Sequence, residues 1–245
     1  MLRGLLRHLP MLHPLCESRC VSCSSPIPFQ VTAQKTGTPP LCTTCTVALA
    51  RRVGGFCPRC GEITASPDIP PTLCGECLKK PPPWDAFFFH GSYQGLLRSL
   101  ILRFKHGHDL SPGHLLGRFL ADHPGITGEY DALVPMPLHP RRLRERGFNQ
   151  ALEAARPLAA KYGLPLAPES LVRMVHTPPQ AGLSLAERNA NVRDIFAASG
   201  VLGKRLLLVD DVATTGSSLR SAAKTLLRAG AAGVAVAVVA RTPSL

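Results

Sequence analysis

Apolar residues fall into two kinds of pattern along this chain, and each predicts a different element. Arg205-Leu-Leu-Leu-Val209 is a short apolar run bounded by turn signals, the pattern of a strand buried on both faces of a parallel sheet. Val234 to Val239 is apolar throughout and predicts a second such strand, too short to cross a membrane. Tyr130 to Val134 predicts a third, stopped by the stiff loop Pro135-Met-Pro-Leu-His-Pro140. Helical spacing governs Leu219, Ala222, Ala223, Leu226 and Leu227, closed by Gly230 as C-cap. It also governs Leu96, Leu97, Leu100, Ile101 and Phe104, where Arg98, Arg103 and Lys105 are expected on a solvated basic face. Buried strands alternating with helices predict an α/β sheet.

The Arg205–Val209 run is expected to end at Asp210 and Asp211, followed by Ala213-Thr-Thr-Gly-Ser-Ser218. The order is strand, polar loop, helix N-terminus, the place where an open α/β sheet collects an anion. Carboxylates repel phosphate, but an adjacent pair suits the vicinal hydroxyls of a ribose or a magnesium ion. The hydroxyl-rich loop has the opposite preference. Together they predict a ligand with its 5′-phosphate on the loop and its ribose diol on the acids. The patterns G-x-x-x-x-G-K-[ST] and G-x-G-x-x-G are both absent, which disfavours a nucleoside triphosphatase or a dinucleotide enzyme. Simple capping of the following helix would need only one such residue.

All nine cysteines lie between Cys16 and Cys77, and eight form four C-x-x-C pairs: Cys20/Cys23, Cys42/Cys45, Cys57/Cys60 and Cys74/Cys77. Two such knuckles complete a tetrahedral zinc site. The simplest assembly is sequential, Cys20, Cys23, Cys42 and Cys45 around one zinc and Cys57, Cys60, Cys74 and Cys77 around a second; interleaved pairing satisfies the same spacing. An iron–sulfur cluster also uses four cysteines. A disulfide scaffold would need an oxidising compartment, and Met1 to Leu15 has no apolar run fit for export or a membrane span, so a cytoplasmic protein is expected. A segment this poor in apolar residues has no core of its own, whereas a structural zinc contributes ~10–16 kcal/mol to folding. Two closed sites of this kind would be structural, not catalytic.

Composition then sharpens the picture. At 245 residues the chain can hold one sizeable domain and a small one, and Lys79-Lys-Pro-Pro-Pro83 marks the expected boundary between residues 16–80 and 84–245. The formal charge is +12. Two zinc–thiolate sites would lower it to roughly +8, still basic enough to expect a phosphate-bearing partner. Arg141, Arg142, Arg144 and Arg146 follow the Pro135–Pro140 loop and suit a pyrophosphate, which arginine grips bidentately. His176 to Gly182 and the helix-like Ser184 to Asn191 are expected either to cover the site or to form a surface excursion.

Leu206-Leu-Leu-Val-Asp-Asp-Val-Ala-Thr-Thr-Gly-Ser-Ser218 resembles the phosphoribosyl-pyrophosphate (PRPP) motif of type I phosphoribosyltransferases. The resemblance implies that Asp210 and Asp211, the catalytic candidates, contact the ribose hydroxyls while Ala213, Thr214, Thr215, Gly216, Ser217 and Ser218 wrap the phosphate. The cysteine knuckles, Pro135 to Gln150 with its Arg-Gly-Phe-Asn-Gln ending, Gln180-Ala-Gly-Leu-Ser-Leu-Ala-Glu-Arg-Asn189 and this motif, in that order, resemble the ComF family (competence protein F and GntX-like proteins). That likeness runs from about Cys20 to Arg241 and implies a double zinc ribbon before a phosphoribosyltransferase-type parallel sheet flanked by helices. It further implies a pyrophosphate loop containing Pro135, Met136, Pro137, Arg141 and Arg142, and a flexible loop from His176 to Arg188. Expected partners are PRPP with magnesium, single-stranded DNA during natural transformation, and a helicase-like protein. Two readings stay open: an enzyme displacing pyrophosphate from PRPP, or a DNA-binding protein whose pocket senses a phosphoribosyl ligand.

Overall fold

The computed structural model describes residues 18–27, 39–64, 66–107, 110–174 and 195–243. Met1–Leu15, Cys16, the covering segment His176–Arg188 and the remainder of Gln180–Asn189 lie outside them. Two minimal strands, β1 (Ser18–Arg19) and β2 (Pro26–Ile27), pair antiparallel, and two short helices follow, α1 (Thr43–Ala48) and α2 (Gly75–Lys79). Next come β3 (Phe87–Ser92), α3 (Gly95–His106), α4 (Ser111–Ala121), β4 (Ala132–Pro135), α5 (Pro140–Arg146) and α6 (Gln150–Tyr162). A small antiparallel pair, β5 (Leu171–Arg173) and β6 (Phe196–Ala198), precedes β7 (Arg205–Ala213), α7 (Ser217–Arg228) and β8 (Gly233–Arg241).

The main sheet has the order β3-β8-β7-β4, and all its pairings are parallel. Parallel neighbours need crossovers, which the intervening helices supply. Alternation along β7 sends Leu207 and Val209 into one apolar cluster with Phe104, Leu116 and Leu158. Leu206 and Leu208 enter the opposite cluster, with Leu219, Ala223 and Leu226 of α7. Full burial of each such leucine contributes about 1.5–3 kcal/mol, which holds the helices on both faces. The end of α7 follows its sequence signal: Gly230 takes φ +93°, its N–H donates to Leu227 O, and Ala231 N–H donates to Leu226 O. No helix among the described residues is long and apolar enough to cross a membrane.

Three sequence expectations need correction. β7 does not stop at Val209 but continues through both acids, pairing with β8 as far as Ala213 opposite Arg241. Main-chain pairing is indifferent to side-chain polarity at a strand end. Arg141 to Arg146 are not an open loop but lie in α5, started by Pro140 and capped by His139 Nδ1, which accepts from Arg141 N–H at 3.2 Å. Finally, the basic face of α3 is not simply solvated: Arg103 donates to the carbonyls of Ser22, at 2.8 Å, and Val21.

Candidate functional site

β4 pairs with β7 only from Ala132 opposite Leu206 to Pro135 opposite Val209, so β7 outruns it by the segment that carries the acids. Asp210 and Asp211 occupy successive strand positions, and their side chains diverge across the crest of the sheet. Asp211 is buried and meets Lys105 Nζ of α3 at 2.7 Å through Oδ2, an ion pair without hydrogen-bond alignment. Asp210 points the other way, within electrostatic reach of Lys105 and, less strongly, of Arg173 from β5, and its Oδ1 accepts from Asp211 N–H at 2.9 Å. Asp210 keeps partial solvent contact at its rim, yet protein surrounds it closely enough that burial, with the Asp211 charge, pushes its pKa up to about 7.

Beyond Ala213 the chain turns at Gly216, whose φ of +73° requires glycine; space is not the constraint, since the nearest atom a Cβ would meet is Trp84 Cη2 at 3.9 Å. Thr215 Oγ1 lies 2.9 Å from Ser217 Oγ and accepts from Ser217 N–H at 3.4 Å. The first N–H groups of α7, a 12-residue helix, therefore open beside a hydroxyl cluster. Both halves of the sequence-read site, the acids and the hydroxyl loop, stand at the same end of the sheet.

Cations approach from several elements. Burial lowers the pKa of Arg146, against which the Asp211 charge works, and lowers that of Arg173, where Arg142 assists and Asp210 opposes. Asp211 and Asp210 are thus within electrostatic reach of α5 and β5 respectively. Arg146 also donates to Gln150 Oε1 at 2.7 Å, while Arg141 turns to Glu145 at 3.1 Å. Asn149 Nδ2 donates to Met136 O at 3.0 Å and pins the chain after Pro135 to the start of α6. Arg173 escaped the sequence reading, and Lys105, expected on a solvated face, pairs instead with Asp211; the partners of both lie far along the chain.

The eight cysteines form two groups, Cys20, Cys23, Cys42 and Cys45, and Cys57, Cys60, Cys74 and Cys77, whose ligand atoms lie within 4.8 Å of one another. All eight are free thiols. Cys23 and Cys42 Sγ are 3.7 Å apart and Cys60 and Cys74 Sγ 3.8 Å, matching the edge of about 3.8 Å that four Zn–S bonds of about 2.3 Å require. Burial pushes the Cys45 thiol up to about 12 and Cys77 up to about 11, whereas hydrogen bonds with Ser25 lower Cys23 to about 6, and burial at Cys57 is outweighed by main-chain hydrogen bonds that lower it to about 7. Each cluster thus joins a readily ionised thiol to one that a divalent cation would have to deprotonate. The residues fit structural zinc in the sequential assembly.

Neither ribbon stands apart from the sheet. Cys20, Ile27, Cys45 and Leu49 belong to the first apolar cluster, and Phe56, Cys60 and Ile63 pack on the second. Gly61, just after the third knuckle and at φ +72°, sits so close to Phe87 that an added Cβ would fall 2.3 Å from its ring. Trp84 donates from Nε1 to Arg59 O at 2.7 Å. Arg241 at the end of β8 pairs with Glu62 and donates to the carbonyls of Cys60, Ala213 and Thr214.

Comparison with known proteins agrees with this architecture. Residues 154–245 match the family model described as "Phosphoribosyl transferase domain". The chain is 35% identical over 209 residues to "DNA utilization protein YhgH" of Salmonella typhimurium, covering 82% of this chain and 90% of that protein. It is 31% identical over 211 residues to "Competence protein F" of Haemophilus influenzae, with 82% and 90% covered. It is 26% identical over 204 residues to "Competence protein ComFC" of Streptococcus pneumoniae, with 79% and 84% covered. A parallel sheet of phosphoribosyltransferase type, two four-cysteine clusters before it and relatives alike over most of their length lead to one conclusion: the chain belongs to the ComF family, that of competence protein F and YhgH.

Proposed function

We propose that this protein binds PRPP or a related phosphoribosyl ligand at the crest of β7 and acts in the handling of single-stranded DNA. The observation that carries this is the juxtaposition of Asp210 and Asp211, where β7 outruns β4, with the Gly216 turn and the N-terminus of α7. A 5′-phosphate fits the N–H groups and hydroxyls from Ala213 to Ser218, where a helix N-terminus favours negative charge. The ribose diol then faces the carboxylates. Lys105, Arg142, Arg146 and Arg173 supply positive charge around them, suited to the pyrophosphate end of the ligand, with Pro135, Met136, Pro137, Arg141 and Arg144 on the adjoining segment. Asp210 and Asp211, together with the ligand's own oxygens, would hold magnesium, which would neutralise pyrophosphate charge. The DNA role is inferred from relatives named for DNA utilization and competence. The same cation set favours a second reading, an active phosphoribosyltransferase that displaces pyrophosphate from C1 of PRPP.

The test is ligand-dependent stability. PRPP with magnesium at a hundredfold excess over its dissociation constant should stabilise the fold by ~2.7 kcal/mol. Asp210→Asn combined with Asp211→Asn should abolish that gain, and equal stabilisation of variant and wild type would show that the acids serve the helix alone. Release of pyrophosphate in the presence of an acceptor separates the enzyme from the sensor.

A further inference from the structure

One broad groove of the molecule does not lie over the acids. It has a volume of about 1640 Å³ and runs between the second zinc ribbon and α7, with Thr215, Gly216 and Ser217 among its lining. Small-molecule sites occupy roughly 300–1,000 Å³, so the groove is on the scale of a chain rather than a metabolite. One wall carries Lys79 and Lys80, and the other carries Arg220, Lys224 and Arg228 at successive fourth positions of the helix. That spacing sets one cation about every 6 Å along α7, close to the phosphate-to-phosphate step of an extended nucleic-acid strand.

Charge pairing separates the lysines of this groove from an ordinary solvated face. Arg118, Arg141, Arg156 and Lys161 each have a carboxylate partner at 2.9–3.2 Å. Among the described residues, Lys79, Lys80 and Lys224 form no ion pair, although all three are exposed. Of the two acids lining the groove, Glu62 is taken by Arg241, which leaves Glu76. Zinc held by Cys57, Cys60, Cys74 and Cys77 would add a charge near −2 behind one wall, and five cations still leave the groove positive. Arg220 lies over the Trp84 ring at 5.4 Å, but Trp84 is only 3% exposed and Phe87 only 6%, so neither offers a face on which a base could stack.

Given a chain that handles DNA, as proposed for its function, we infer that this groove is the track for one nucleic-acid strand, gripped by its phosphates and not by its bases. The grip is ionic and indifferent to sequence, and the strand runs along α7 away from the Thr215–Ser217 loop. The α5 arginines stay with the phosphoribosyl ligand.

The experiment is fluorescence anisotropy of a labelled single-stranded oligodeoxynucleotide of mixed sequence with the zinc-loaded full chain across a potassium chloride series. With ~0.7 per phosphate neutralised, five cations give a salt slope of up to about 3.5. Replacing three of them in Lys79→Ala/Lys80→Ala/Lys224→Ala should lower the slope by about 2 and the affinity by tenfold or more. Zinc content and PRPP-dependent stabilisation should be unchanged. Arg141→Ala/Arg142→Ala should leave oligonucleotide binding as in the wild type. Loss of binding in the arginine variant with none in the lysine variant would overturn the groove while leaving DNA handling intact. No binding by the wild-type chain would overturn DNA handling and the groove together, with PRPP stabilisation still testing the ligand site by itself.

Discussion

Arg241 and Glu62 stand 179 positions apart and form an ion pair in which the arginine is only 6% exposed. The pair joins the second zinc ribbon to the end of β8. The same guanidinium also holds the main chain of Ala213 and Thr214, where the proposed phosphate loop begins. Removing one partner of a buried pair strands the other charge, at a cost of about 3–5 kcal/mol. Glu62→Gln should therefore lower unfolding free energy by that order in urea titration, and adding Arg241→Met should recover much of it. A loss below about 1 kcal/mol for Glu62→Gln would mean that water already screens the pair.

Lys105 and Asp211 form a second link, between α3 and the crest of β7. Lys105→Met should destabilise the fold by about 1–3 kcal/mol, with partial recovery on adding Asp211→Asn, because contacting residues are coupled by roughly that amount. Exposed Arg98 on the same helix serves as control: Arg98→Ala should stay within about 0.5 kcal/mol of wild type. Additive effects of the two crest substitutions would remove the coupling.

Metal analysis of the purified protein should find about two zinc ions per chain, and Cys60→Ser should lose one. Because Cys60 O accepts from Arg241, that variant should also show a smaller stabilisation by PRPP. Absence of zinc, or the absorption spectrum of an iron–sulfur cluster, would refute the assignment.

Acid should weaken the fold through two histidines. His90 stacks on Phe119 at 4.0 Å and its Nε2 lies 2.7 Å from Leu49 O. Burial lowers its pKa to about 4 against the opposing pull of that carbonyl, with the Arg51 charge assisting; burial also lowers His123 to about 4, with Arg51 and His90 adding to it. Both values lie below the ordinary 6.5, so the unfolded chain binds more protons between about pH 4 and 6.5. The stabilisation is complete above that window and lost as pH falls through it, on the order of 3 kcal/mol for His90. Asp210, raised towards 7, works in the opposite sense below neutrality, so the comparison belongs in an Asp210→Asn background. There, His90→Gln should flatten the decline of urea midpoint between pH 7 and 4.5, and an unchanged slope would exclude His90 as its source.

Local chemistry was legible wherever residues close in sequence act together. The cysteine knuckles, the apolar run of β7, the stripe of α7 and its Gly230 stop all follow from short-range spacing. The start and stop of α5 were also written locally, in Pro140 and in Gly147 with its φ of +82°, but the run of arginines between them suggested a loop. Lys105, Arg173 and Arg241 were not legible. A cation's partner is chosen by the sheet order, and strands β7 and β8 gather groups from the ribbon, α3 and β5 that no spacing rule connects. The extension of β7 through its acids was hidden for a related reason, since β8 beside it supplies the hydrogen bonds whatever the side chains are.

The unequal lengths of β4 and β7 have a further consequence. Past Val209, among the described residues, β7 shows one flank with no strand beside it, a surface on which another chain's strand could dock and seed aggregation. Asp210, at the start of that flank, keeps partial solvent contact, and an incoming strand would have to strip its carboxyl of water, which makes such docking costly; Asp211 is already met by Lys105. The acid proposed to receive a ribose would then also keep concentrated protein from pairing strand to strand, and Asp210→Ala would favour self-association.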